Sequence, residues 1–473
     1  MEIITGKILK LNNWPDGKVI GIAKRVASSL ADQGLQREVI LARLNAVRQN
    51  PVEFLSDALM ADLAQECLHM IQKAENPAVE LRQKPLFYPI WGREAIDDES
   101  LAQMNNAMRL PVSVAGALMP DAHVGYGLPI GGVLATDNAV IPYAVGVDIA
   151  CRMRISIYEI SPDVLYQTKS LFETALRQQT CFGLGAEWPA RQRPDHEVLD
   201  DADWSTTRLL KNLQNTALRQ LGTSGCGNHF VEWGDFELFE PLMGLKVGLY
   251  LALLSHSGSR NVGYKIADYY SKLALEKHPD LDKSVRHLAW LSLDSQEGQE
   301  YWLAMELAGR FAAANHAIIH RRVSDAAGLK AAAVVENHHN FAWRQTLADG
   351  RVVIVHRKGA TPAGKGMLGV IPGSMGDAGY VVRGRGSTDA LDSASHGAGR
   401  LMSRKAAINT ISKTTRDAYL KERGVTLLGG GLDESPQAYK PINQVIAAQQ
   451  DLVEIIGRFS PRIVRMANEG GVV

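Results

Sequence analysis

Near residue 85 the sequence changes character, and the two sides of the change call for different folds. Before it, apolar residues recur at helical spacing: Val19, Ile22, Ala23, Val26 and Leu30 share one face until Gly34, and Leu35, Val39, Ile40, Leu44 and Val47 share another until Gln49-Asn50-Pro51. A third helix is expected to begin near Val52. After it come glycine-rich turns and short β-branched runs such as Arg351-Val-Val-Ile-Val355, with one long amphipathic helix expected from Gln299 to His320. No regular strand-helix-strand repeat supports a doubly wound parallel sheet, so an α+β core is expected. The helices of residues 1–84 read as a separate region of unassigned role, ahead of a catalytic domain at 85–473.

Charge excludes one class of partner and localises another. Fifty-one basic residues balance fifty-one acidic ones, so no global positive field draws in nucleic acid, and any such site must be a local patch. One candidate runs from Arg400 to Arg423, where Arg400, Arg404, Lys405, Lys413, Arg416, Lys421 and Arg423 face only Asp417 and Glu422. The first residues carry no apolar leader, and no stretch approaches the ~18 apolar residues of a membrane span. Cysteines 67, 151, 181 and 226 have neither close pairing nor a CxxC spacing. Disulfides are therefore not expected, and reducing cytoplasm is the expected compartment.

The informative histidines and cysteines stand in small, polar, glycine-rich settings instead of apolar helix faces. Asp148 and Cys151 lie three residues apart after an apolar run, a spacing that lets carboxylate and thiolate converge on one ion. His229 leaves the glycine-rich run Gly222-Thr-Ser-Gly-Cys-Gly-Asn-His229, His256 stands between two serines, and His338-His339 are adjacent imidazoles in a polar run. His396 sits in Ala394-Ser-His-Gly-Ala-Gly-Arg400, where glycines permit close backbone approach to a phosphate. Together they imply a metal site beside an anion site. The elements Gly125-Tyr-Gly127 and Gly384-Arg-Gly386 match no dinucleotide or P-loop fingerprint.

The ordered series Met119-Pro-Asp-Ala-His-Val-Gly-Tyr-Gly-Leu-Pro-Ile-Gly-Gly132, VGVDIAC, GTSGCGNHFVE, HSGSR, HHN, VHRKGAT, IPGSMG and HGAGR resembles the motifs of RtcB RNA ligases over about residues 85 to 465. The resemblance implies an RtcB-like mixed-sheet core flanked by helices, with residues 1–84 as an added helical region. It also implies a GTP- and Mn²⁺-dependent RNA ligase. Asp148, Cys151 and His229 resemble the ligands of one Mn²⁺, and Cys151, His256 and His339 those of a second, with the thiolate shared. His396 resembles the histidine that takes GMP from GTP, Asp121 the acid that positions it, and Asn228 a residue that orients the phosphates. Arg400 and Arg404 are implied to neutralise phosphate. Phe230, Glu232, Ser374, Gly397, Ala398, Gly399 and Tyr439, with Asn228 and His396, correspond to the nucleotide pocket.

The implied substrate is cleaved RNA, tRNA included, with a 3′-phosphate or 2′,3′-cyclic phosphate on one end and a 5′-hydroxyl on the other. No membrane is implied, and the need for an activating protein is open. Several positions depart from the family pattern. The chain ends Arg465-Met-Ala-Asn-Glu-Gly-Gly-Val-Val473 where the family has a lysine that contacts guanine, which leaves Arg465 as the nearest substitute. Gly379 replaces a serine, Pro362 and Thr216 replace arginines, with Arg219 one turn from Thr216, and Arg152 replaces a glycine. Two other functions fit the same motifs: a metal-dependent RNA cyclic phosphodiesterase without ligation, and a catalytically silent RNA-binding protein.

Overall fold

A computed structural model describes residues 4–75 and 79–468, and the chain divides into two compact units, Met1–Val79 and Glu80–Val473. The first unit is helical, with helices at Gly6–Leu11, Lys18–Asp32, Arg37–Gln49 and Ala61–Glu75. Trp14, Leu30, Ile40, Leu44 and Leu63 fill its core, and the Trp14 indole N–H donates to Asn45. The helix expected from Val52 starts later. Residues Pro51–Phe54 form only a 3₁₀ turn, and Asp57 takes the N–H groups of Leu59 and Met60, both at 2.9 Å, capping the chain before Ala61. Within the expected apolar face of Arg37–Gln49, Val39 is 46% exposed, so the buried stripe is Ile40, Leu44 and Val47.

Among the described residues the second unit carries sixteen strands. They are β1 (Ser113–His123), β2 (Ile130–Thr136), β3 (Ala139–Val140), β4 (Arg152–Tyr158), β5 (Phe230–Leu238), β6 (Gly248–Ser257), β7 (Leu291–Ser292) and β8 (Ala333–His338). There follow β9 (Phe341–Thr346), β10 (Val352–Lys358), β11 (Ala360–Pro362), β12 (Leu368–Ile371), β13 (Gly379–Gly384), β14 (Ser393–Ser395), β15 (Thr426–Leu427) and β16 (Val453–Met466). The larger sheet runs β12-β13-β16-β5-β6-β4-β8, with β15 parallel on β16; a second runs β1-β2-β10-β9. Every pairing in these two sheets other than β15 with β16 is antiparallel, and β11-β14 and β3-β7 are short two-stranded pairs. This is the mixed-sheet α+β core, flanked by helices.

Register decides what each face of the larger sheet carries, because residues paired across a ladder point the same way. Phe230, His256 and Met153 are paired in a row, as are Val464, Glu232 and Leu254, so His256 and Glu232 share one face. Val231, Ser255 and Arg154 form the neighbouring row and point the other way, toward the helix Gln296–Ala326. That helix extends beyond the expected Gln299–His320 because Ser295 caps its first turn, and it ends before Gly328 at φ 70°. His316 and His320 both reach Ser255 Oγ at 2.8 Å, and His320 also reaches Ser156, which accounts for these two histidines as buried structural groups.

The same helix ties the sheet to two functional loops through Asn315, which is fully buried. Asn315 Oδ1 accepts the N–H of Gly222 at 2.7 Å and of Thr223 at 3.1 Å; its amide donates to the carbonyls of Thr223 at 2.9 Å and Gly258 at 3.3 Å. One side chain thus fixes both the loop before His229 and the loop after His256. Asn315→Ala is expected to destabilise the protein by about 2 to 5 kcal/mol, since each unpaired buried backbone group costs roughly 1 to 3 kcal/mol. A denaturant midpoint unchanged from wild type would refute that role.

Candidate active site

Each ligand candidate leaves a strand end or a tight turn. Asp148 and Cys151 occupy the turn between the short helix Pro142–Val145 and β4, where Ala150 adopts φ 55°. This turn is laced to the residues after β8: Ala150 N–H donates to Asn340 O and His339 N–H donates to Cys151 O, both at 2.9 Å. His229 immediately precedes β5, His256 lies near the end of β6, and His339 immediately follows β8. Gly258 is required by the carboxylate, because a Cβ there would lie 2.2 Å from Asp148 Oδ1.

The donor atoms converge. Cys151 Sγ is 3.1 Å from His256 Nε2 and 3.5 Å from His229 Nε2; His229 Nε2 is 3.1 Å from Asp148 Oδ2, and His256 Nε2 is 3.2 Å from His339 Nε2. His256 Nδ1–H donates to Asn228 O at 2.9 Å, which leaves the Nε2 lone pair facing the thiol and the other imidazoles. His229 Nδ1 and His339 Nδ1 are buried without partners. Donor atoms of Cys151, His229 and His256 all fall within 4.8 Å of one another, the spacing of a shared ion. A thiol, three imidazoles and a carboxylate form an S/N/O set that fits divalent first-row transition ions.

Electrostatics agree with that fit. Burial and the neighbouring His229 pull His256 down to about 3, and burial with the surrounding histidines pulls His339 well below its ordinary value, so both are neutral donors. Burial acts to raise Asp148, but the His229 hydrogen bond and charge outweigh it and the carboxyl ends below its usual range. Burial and the Asp148 charge push the Cys151 thiol well up. A cation in place of the thiol proton would reverse that shift.

Beside this cluster stands His396, its ring 4.8 Å from that of His339. Asp121 Oδ2 accepts three N–H groups: His396 Nδ1 at 2.7 Å, His396 backbone N at 3.1 Å and Gly397 N at 3.3 Å. The carboxylate therefore orients the ring through Nδ1 and leaves Nε2 as the nitrogen it does not hold. Gly399, at φ 72°, passes so close to Asp121 that a Cβ would lie 2.1 Å from its carbonyl oxygen. Lys440, which the sequence reading left unassigned, donates to the carbonyls of Pro120 at 3.1 Å and Ala122 at 2.7 Å, clamping the backbone on both sides of Asp121. Asn340 links the two halves: its amide donates to Asp148 O and its Oδ1 accepts Gly359 N–H at 2.8 Å, next to His396.

The remaining candidates spread outward. Arg400 directs its guanidinium to Glu434 at 3.0 Å, Tyr439 at 3.1 Å and the Asp433 carbonyl at 2.6 Å, and the Tyr439 hydroxyl also donates to Glu434. Arg404, about half exposed, contacts Glu434 at 3.1 Å and covers Gly227 beside Asn228. Ser374 donates to Asp377, and its segment approaches Gly397 through Pro372. Ala398 is buried in the core that holds Tyr439. Phe230 packs its ring against His256. Glu232 is buried with Oε2 unpartnered, and burial pushes its carboxyl well up, leaving a neutral acid that can both donate and accept.

Four departures from the motif pattern find their places. Arg465, paired with Val231, points to the face opposite Glu232, where it donates to Leu428 O and lies over Phe182. Arg219, at the end of the helix Arg208–Gln220, pairs with Glu187 at 2.8 Å. Arg152 pairs with Glu336 at 3.2 Å on the face away from His256. Pro362 lies in β11. Gly379 opens β13, and the structure gives no reason for its exchange.

Residues 103–208 and 201–467 match a family model described as RtcB, tRNA-splicing ligase RtcB. The chain is 31% identical over 392 residues to the RNA-splicing ligase RtcB of Escherichia coli, covering 76% of this chain and 92% of that protein. It is 32% identical over 436 residues to the tRNA-splicing ligase RtcB of Nanoarchaeum equitans, covering 77% and 91%. With the RNA-splicing ligase RtcB of Mycobacterium tuberculosis it shares 32% over 430 residues, covering 76% and 98%.

Because Cys151 Sγ touches two of the imidazoles, Cys151→Ala is expected to abolish tight binding of Mn²⁺ and of Zn²⁺ in calorimetric titration, while His278→Ala, outside the cluster, leaves both titrations unchanged. Retained binding by Cys151→Ala would remove the thiol from the ligand set.

Proposed function

The chain belongs to the RtcB family, and we propose that it is an RNA ligase that joins a 3′-phosphate end to a 5′-hydroxyl end through GMP carried on His396. The observation that carries this reading is the geometry of His396, with Nδ1 fixed by Asp121 at 2.7 Å, Nε2 free, and the ring against the donor cluster. Asp148, Cys151 and His229 would hold one Mn²⁺, and Cys151, His256 and His339 a second. When bound, these ions supply Lewis-acid stabilisation of charge on phosphoryl oxygens.

His396 Nε2 attacks the α-phosphorus of GTP; an N–P bond forms, the P–O bond to pyrophosphate breaks, and Asp121 holds the Nδ1 proton throughout. An oxygen of the RNA 3′-phosphate then attacks the GMP phosphorus and the N–P bond breaks. The 5′-hydroxyl oxygen finally attacks the RNA phosphorus, its proton is lost, and GMP leaves as the phosphodiester forms. Where the end is a cyclic phosphate, hydrolysis of its 2′ P–O bond comes first. Arg404 reaches the phosphates from above Gly227, whereas Arg400 acts through Glu434 and Tyr439. Residues 85–473 form the catalytic domain in this reading, and 1–84 are an appendage of unassigned role.

His396→Ala is expected to keep its metal content and melting temperature while losing covalent labelling by GTP. Peptide mapping that places the nucleotide on any other residue of the wild-type protein would overturn the mechanism, and absence of label would favour a phosphodiesterase or a binding protein.

Base recognition is assigned to Glu232, the buried acid on the His256 face, and not to Arg465. Glu232→Ala is expected to reduce the preference for GTP over ATP in His396 labelling by about 5- to 150-fold, the equivalent of roughly 1 to 3 kcal/mol for an unpaired base edge. Arg465→Ala is expected to leave that preference unchanged; a loss in Arg465→Ala alone would reverse the assignment.

A further inference from the structure

The basic run from Arg400 to Arg423 does not form one patch. Arg400 and Arg416 turn inward, the latter to the Gly430 carbonyl at 2.9 Å and to Asp417. What remains is assembled from distant segments around the helix Lys413–Glu422. On one side lies a cleft of about 690 Å³ whose wall carries Lys169, Lys413 and Lys421. On the other lies one of about 300 Å³ bordered by Arg423, Arg458 and Arg462.

The acids in these walls are already matched. Asp417 is bound by Arg416, Asp377 faces Arg423 at 3.8 Å and takes the hydroxyls of Ser374 and Tyr419, Arg423 also contacts Glu422 at 3.6 Å, and Arg462 pairs with Asp235 at 2.7 Å. Lys413, Lys421 and Arg458 have no carboxylate partner among the described residues, and Lys169 has only a 3.7 Å contact with Glu173. In a chain of zero net charge, this leaves Lys413, Lys421 and the loosely held Lys169 as uncompensated positive charge in the first cleft, and Arg458 in the second. Gly430, in the first cleft, lies three residues before Asp433, which with Glu434 holds Arg400 and Arg404.

We propose that these clefts, the lysine-lined one foremost, seat the phosphodiester backbone of single-stranded RNA away from the reacting ends. The inference rests on the ligase reading for its choice of polyanion. A cationic groove that tracks the backbone without reading bases suits an enzyme acting on ends of many sequences. Lysine supplies it as a mobile point charge, compatible with variable strand paths.

The test is fluorescence anisotropy of the full chain, in Mn²⁺, with a labelled single-stranded RNA carrying a 3′-phosphate, over a salt series. Each lost phosphate contact should lower the slope of log affinity against log salt by about 0.7, so Lys413→Gln with Lys421→Gln should lower it by about 1.4. The control pair Lys265→Gln with Lys330→Gln, exposed elsewhere, should leave the slope at its wild-type value. A cleft double variant with the wild-type slope, or a control pair with an equal loss, overturns the proposal. Sealing by the wild-type protein is measured alongside. Wild type that binds RNA through the clefts but seals nothing sinks the ligase reading alone, and wild type that seals with a cleft-independent slope sinks this one alone.

Discussion

Electron-pair donors buried 3.1 to 3.5 Å from one another repel unless a proton or a cation lies between them. Cys151, His229, His256 and His339 are in that position, with Asp148 at their edge. Much of the second unit can be read as the structure needed to hold such a cluster together. The strands alone could not do it, since the donors leave from the turn before β4, the entrance of β5, the end of β6 and the exit of β8. Asn315 and Asn340 supply the missing constraint, each joining segments far apart in sequence through paired donors and acceptors.

His396 is held by a different logic. Asp121 spends one carboxylate oxygen on three N–H groups of a single loop, which fixes the tautomer and the backbone of His396 together. Lys440 secures the acid's own backbone, and Gly399 permits the loop to approach it. The result is an imidazole whose orientation is set by its neighbours.

The α+β class, the helical first region and the candidate donors could be read locally, because amphipathic spacing and glycine-set histidines are local signals. Other features depend on register or on contacts across hundreds of residues. The face taken by Arg465 follows from its pairing with Val231, which its neighbours in sequence do not reveal. Lys440 reaches β1 from 320 residues away, so its own surroundings, Ala-Tyr-Lys-Pro, gave no hint of it. The run from Arg400 to Arg423 showed its charge but not its directions, and half of its guanidinium groups proved to be internal. The late start of the helix at Ala61 turned on Asp57, a cap three residues beyond the 3₁₀ turn.

The donor cluster grows from the larger sheet, whereas Asp121 belongs to β1 of the smaller one. The two sheets meet through a shared apolar layer in which Met119, Val133 and Val355 pack against Ile371, Val382 and Val453. Each half of the site is tied by its own hydrogen bonds, so the gap between them follows the thickness of that layer. Close-packed interiors transmit a change of one methylene instead of absorbing it. Side chains that touch neither His396 nor the donor cluster therefore act as spacers, and their volume is a dimension of the site.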